Sequence, residues 1–118
     1  MLIFSDIQRA LDFPLRVLGF VDPAVHGDPP CFAMLNRDGF DLMLSLGTPR
    51  PNGRDGVWDV HLRVDDLAAE MEVLAAAGVP LDVQPHETFY GMREIEILDP
   101  DGHRWCLGQD LVPRDSQA

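Results

Sequence analysis

The sequence predicts an α+β fold built from two copies of one strand, helix, three-strand module (βαβββ), and three observations predict it. The chain repeats itself at a nearly constant period: Asp6 and Asp66 stand 60 residues apart, Gly19 and Gly78 59, and Asp38-Gly39 and Asp101-Gly102 63. Each of the two turns is followed by a matching run, Asp41-Leu42-Met43-Leu44 in one half and Arg104-Trp105-Cys106-Leu107 in the other. Each half also opens its helical pattern on an Asp that can cap backbone amides and closes it on a Gly that can take a left-handed conformation. A chain of 118 residues suits one domain over 1–118. We divide it into module 1 (1–46), a linker (47–56), module 2 (57–109) and a polar tail (110–118).

The elements follow in order. Residues 1–5 are apolar but short, a stub of strand. Asp6 caps a helix with Ile7, Ala10, Leu11, Leu15 and Leu18 at helical spacing, and Pro14 inside that pattern predicts a kink or break near Phe13. Residues 20–25 read as a strand, 26–30 as a loop, 31–35 as a strand, 36–39 as a tight turn and 40–46 as a strand. Two Pro and the pairs Asn52-Gly53 and Asp55-Gly56 make 47–56 a linker. Residues 57–64 form the next strand; Asp66 then caps a helix whose buried face carries Leu67, Met71 and Leu74. A strand at 79–83 precedes the final hairpin, whose turn is Asp99-Pro100-Asp101-Gly102. Across that hairpin Ile95, Ile97, Trp105 and Leu107 face a core, while Glu94, Glu96, Arg104 and Cys106 face the other way. We expect part of that charged face to be solvated, with salt bridges from Arg93 or Arg104 to a glutamate.

Composition narrows the function. Hydrophobic residues make up 46% and the formal charge is −11, so a nucleic-acid backbone is repelled and a cationic small molecule attracted. No apolar run reaches the roughly 18 residues of a membrane span, and no leader is recognisable; a cytoplasmic protein with no membrane partner is expected. Cys31 and Cys106 lack paired spacing and read as free thiols of a reducing compartment. Neither a Gly-x-Ser-x-Gly elbow nor a phosphate-cradling glycine loop is present. His26, His86 and His103 are read as loop, surface or turn residues.

The stretch Tyr90-Gly91-Met92-Arg93-Glu94, then Asp99-Pro100-Asp101-Gly102-His103, then a strand ending Leu107-Gly108-Gln109, resembles the end of the second module in the vicinal oxygen chelate superfamily of glyoxalases, extradiol dioxygenases and bleomycin-resistance proteins. The resemblance implies that the two modules form a cup-shaped, partly open mixed barrel with helices outside and ligand inside. It also implies a homodimer with ligand clefts at the subunit boundary. Enzymes of the superfamily generally hold a divalent ion on the first and last strands of each module. The corresponding positions here are Asp59, Cys106, Met43 and a place before Met1, a set with one carboxylate and no imidazole. We therefore expect no metal and no cofactor.

On the strand at 57–64, alternation turns Asp59, His61 and Arg63 inward. His61 can be an acid, base or ligand paired with Asp59, a hydrogen-bonding ligand contact, or a structural residue. The expected ligand-binding set is Asp41, Met43, Trp58, Asp59, His61, Arg63, Phe89, Tyr90, Arg93, Glu94, Arg104 and Cys106, with aromatics for flat rings and carboxylates for a cationic group. The expected function is a metal-free module that sequesters a cationic or aromatic ligand, like the bleomycin-resistance proteins. The alternative is a glyoxalase-like metal-dependent lyase, isomerase or dioxygenase, with Glu94 as general base and His61 beside it.

Overall fold

The computed structural model describes residues 2–47 and 58–112, in two compact units, Met1–Pro51 and Asn52–Ala118. The first contains β1 (Leu2–Phe4), α1 (Ile7–Ala10), α2 (Asp12–Arg16), β2 (Val21–His26), β3 (Phe32–Arg37) and β4 (Phe40–Leu46); the second contains β5 (Val60–Arg63), α3 (Leu67–Ala76), β6 (Val83–Glu87), β7 (Met92–Leu98) and β8 (Arg104–Asp110). Each is a βαβββ module. Their sheets have the same order, β1-β4-β3-β2 and β5-β8-β7-β6, and in each the first strand lies parallel to the last while the other pairings are antiparallel.

The repeat seen in the sequence is a repeat of local geometry. Asp6 and Asp66 both adopt extended backbone and each accepts a hydrogen bond from the amide three residues on, at 3.1 Å in both cases. The glycines that end the helices, Gly19 and Gly78, have φ of +71° and +74°, and those of the hairpins, Gly39 and Gly102, +87° and +84°. In module 1 the helix breaks into α1 and α2 at Leu11, slightly before the expected place. Pro14 has no N–H to donate to the carbonyl of Ala10, so the turn that would span them does not close.

Two elements differ from expectation. The strand expected at 79–83 lies at 83–87, on the sheet edge, with an irregular register between Val83 and His86 around Pro85. Pro cannot donate to a ladder, so an edge strand accommodates it where an alternating pattern would not reveal it. The strand expected at 57–64 runs over Val60–Arg63, and residue 57 lies outside the described residues. Of the linker expected at 47–56, residues 48–56 lie outside the described residues; of the tail expected at 110–118, β8 includes Asp110 and residues 113–118 lie outside them.

The hairpin of β7 and β8 is buried on both faces. Ile95, Ile97, Trp105 and Leu107 are the predicted core side, but Glu94, Glu96, Arg104 and Cys106 are also at most 3% exposed. The expectation of a partly solvated charged face is therefore corrected: these charges are buried and paired, the condition under which burial is tolerated. Arg104 Nη1 donates to Asp82 at 2.6 Å and Glu96 at 3.1 Å, whereas Arg93 is exposed and lies on the opposite face of β7 from Glu94.

The turn is organised by Asp99, whose carboxylate accepts from the amides of Asp101 and His103 and from Trp105 Nε1. His103, expected at the surface or in the turn, lies at the end of the turn and is buried against the same carboxylate, 3.3 Å away. Burial works against its protonation, but the hydrogen bond and charge of Asp99, aided by Asp59 and Asp101, outweigh it and raise the pKa above the ordinary 6.5. The stabilisation this gives is complete below the unfolded-state value and is lost as pH rises through the raised folded-state value. In urea titrations of wild type and His103→Gln, the stability gap is therefore expected to be wider at about pH 5.5 than at about pH 9. A gap that is constant or grows with pH would refute this.

Candidate functional site

β8 runs between β5 and β7, and this order brings three side chains together. His61 lies opposite Cys106, and Glu94 lies opposite Gly108. His61 and Glu94 are thus two strands apart, yet His61 Nε2 is 2.8 Å from Glu94 Oε2. They meet over Gly108. A Cβ built there would stand 2.8 Å from the Met92 Cε, 3.2 Å from Glu94 Cγ and 3.3 Å from His61 Cε1, so the missing side chain is the space the pair occupies.

Glu94 takes two further hydrogen bonds. Tyr90 Oη donates to Oε1 at 2.6 Å, and the Cys106 thiol donates to the same carboxylate. Burial alone pushes this carboxyl's pKa up, but the bonds from Tyr90, His61 and Cys106 together exceed that effect and hold it below the usual value. Glu94 is therefore a buried carboxylate that keeps its charge. Its neighbours move the other way. Burial, followed by the acceptor and charge of Glu94, drives the Tyr90 phenol far above its ordinary value; burial and the charges of Glu94 and Glu96 do the same to the Cys106 thiol. Both are donors that retain their protons.

Aromatic rings stand next to His61 and at Tyr90. The Trp58 ring lies 4.8 Å from that of His61, centroid to centroid, tilted by 60°. Its Nε1 is buried with no hydrogen-bond partner among the described residues. Tyr90 is 44% exposed and meets Phe89 edge to face at 5.1 Å, and Phe89 is 100% exposed. A fully exposed Phe set edge to face against a half-exposed Tyr is surface suited to an aromatic ligand.

Of the expected binding residues, Trp58, His61, Phe89, Tyr90, Glu94 and Cys106 thus form one neighbourhood. Arg104 belongs to the Asp82 and Glu96 pairs, and Asp59 Oδ2 accepts the Arg104 amide at 2.7 Å. Arg63 pairs loosely with Asp110 at 3.4 Å, half exposed. Arg93 points away. Asp41 and Met43 are in the first unit, where Asp41 accepts from Asn36 at 2.9 Å. Sequence reasoning missed Gly108, although a glycine inside a strand was a legible sign of close approach, and it missed Asp82, whose loop position gave no sign.

The chain matches the profile of the Glyoxalase/Bleomycin resistance protein/Dioxygenase superfamily over residues 1–107. It belongs to that superfamily. It is 27% identical over 122 residues to Mb0911c of Mycobacterium bovis, covering 93% of this chain and 80% of that one. Among solved structures it is similar to TnmS3, an antibiotic binding protein from Streptomyces sp. CB03234, at 29% identity and a TM-score of 0.69, covering 93% and 94% of the two chains. It shares its fold with a lactoylglutathione lyase from Agrobacterium tumefaciens at 20% identity and a TM-score of 0.69, covering 92% and 88%.

The positions where enzymes of the superfamily hold a divalent ion do not fit one here. Asp59 supplies the one carboxylate of the set, Met43 offers only a thioether, and no imidazole stands among them.

Gly108→Ala is expected to push His61 and Glu94 apart and to destabilise the protein by about 1–3 kcal/mol, the usual penalty for added volume in a packed site. Denaturant titration measures it, and a change under about 0.5 kcal/mol would show that the space is not tight.

Proposed function

We propose that the chain is a small-molecule binding protein of this superfamily that sequesters a flat, cationic ligand, and that affinity alone is its mechanism. The observation that carries this is the exposed ring surface of Phe89 and Tyr90, with Trp58 nearby, next to the buried, ionised Glu94. Rings of the ligand stack on the aromatics, and the carboxylate draws the positive group with the help of the overall −11 charge. Binding of this kind needs no ion. The antibiotic-binding character of TnmS3 supports it. Against the lyase or isomerase alternative stands the state of Glu94: a carboxylate that accepts from three donors and is held below its usual pKa is a weak proton acceptor.

The same proposal has the protein working as a homodimer in the cytoplasm. β1 has three residues at the edge of its sheet, and a second copy would cover the backbone groups left open there; free Cys31 and Cys106 suit a reducing compartment. A monomer in sedimentation velocity at micromolar concentration would overturn the dimer.

Calorimetric titration with bleomycin, a cationic glycopeptide, is expected to give saturable binding that Glu94→Gln weakens by about 10-fold, or about 1.4 kcal/mol. Quenching of Trp58 fluorescence should follow the same curve, read against Trp58→Phe, which leaves only the buried Trp105. Absence of heat and quenching up to high-micromolar bleomycin would remove this ligand class.

A further inference from the structure

The disagreement between the superfamily's metal positions and this chain points to a different locus. We propose that His61, Glu94 and Cys106 together form a binding site for one divalent transition-metal ion of the zinc type, displaced from those positions. Only Cys106 is common to the two sets. The inference goes beyond the ligand-binding reading and stands whether or not a cationic aromatic molecule binds.

The geometry carries it. One ligand atom from each residue, an imidazole nitrogen, a carboxylate oxygen and a sulfur, lies within 4.8 Å of both others. Around a tetrahedral ion with bonds of about 2.0–2.3 Å, ligand atoms stand roughly 3.3–3.8 Å apart. The His61–Glu94 pair, at 2.8 Å, has to open by about half an ångström, and the widest pair has to close by about one. Side-chain rotations supply movements of that size without shifting strands.

The chemistry agrees. A mixed nitrogen, oxygen and sulfur set is borderline-soft and suits zinc or cobalt and not magnesium or calcium. The thiol proton passes to solvent as the sulfur binds. A carboxylate and a thiolate then balance the two positive charges of the ion, so the loaded cluster buries no net charge. Tyr90 Oη already holds Oε1 of Glu94 at 2.6 Å, which leaves Oε2, the oxygen facing His61, to bind through one bond; such a supporting hydrogen bond orients a ligating carboxylate. Three protein ligands leave a fourth position, and His61, whose side chain is 26% exposed, marks the side from which it opens.

The test is a cobalt(II) titration of the chelator-treated, intact chain. One equivalent is expected to bind with a thiolate-to-cobalt charge-transfer band in the near ultraviolet, and one equivalent of zinc should abolish that band. Cys106→Ser should remove the band, and Glu94→Gln, which keeps the shape of the side chain, should weaken binding by about 10-fold or more. Asp59→Asn, which retains an acceptor for the Arg104 amide, should leave binding unchanged. Circular dichroism confirms the fold of each variant, and should Cys106→Ser not fold, the Glu94→Gln and Asp59→Asn pair decides alone. Failure of the wild type to bind cobalt at sub-millimolar concentration overturns the proposal, as does a site lost with Asp59→Asn and kept with Glu94→Gln.

Discussion

The second unit depends on keeping one carboxylate ionised inside protein. An isolated buried charge is costly enough that a carboxyl group ordinarily takes up a proton instead. Glu94 escapes that outcome because three donors converge on it from three strands or turns: Tyr90 from the loop before β7, His61 from β5 and Cys106 from β8. His61 and Cys106 are fixed by the sheet, so the strand order is a condition for the charge. Because β8 carries both Cys106 and Gly108, it supplies one donor and the gap through which another reaches.

The same logic governs the neighbouring pair. Arg104 and Glu96 are both buried, and Asp82 closes the set at 2.6 Å. Removing one partner of such a group strands the others and typically costs about 3–5 kcal/mol. One face of the β7 and β8 hairpin is therefore an apolar core surface and the other a layer of buried, hydrogen-bonded polar groups. The first layer gives stability. The second ties β5, β7 and β8 together through side-chain hydrogen bonds.

Much of this was legible in the chain. The capping aspartates, the glycines at helix ends and the Asp-Gly turns act through local backbone chemistry, and local chemistry is what a sequence displays directly. The period-two pattern likewise separated Ile95 and Ile97 from Glu94 and Glu96. Alternation says which side chains share a face; it does not say whether water reaches that face, and so the charged side was expected to be partly solvated. That His103 is buried was not foreseen, for a related reason. Its burial depends on Asp99 drawing four hydrogen bonds inward, a property of the folded turn and not of any spacing. The edge strand β6 was displaced because Val83-Gln84-Pro85-His86-Glu87 carries neither alternation nor apolar weight.

The two halves part at equivalent strand positions. Glu94 opposite Gly108 and Glu96 opposite Cys106 correspond, in the register of the first sheet, to Phe32 opposite Ser45 and Met34 opposite Met43. The backbone plan is the same, but the first unit has an aromatic ring and two thioethers where the second has two carboxylates and a thiol. A thioether has no proton to donate and a benzyl group has no charge to hold, so the first unit cannot reproduce the cluster however closely its sheet matches. Duplication therefore accounts for the scaffold, and divergence at these positions, together with His61 and Tyr90, for the chemistry. In a fold that also serves a lyase and an antibiotic binding protein, function follows from those side chains and not from the architecture that presents them.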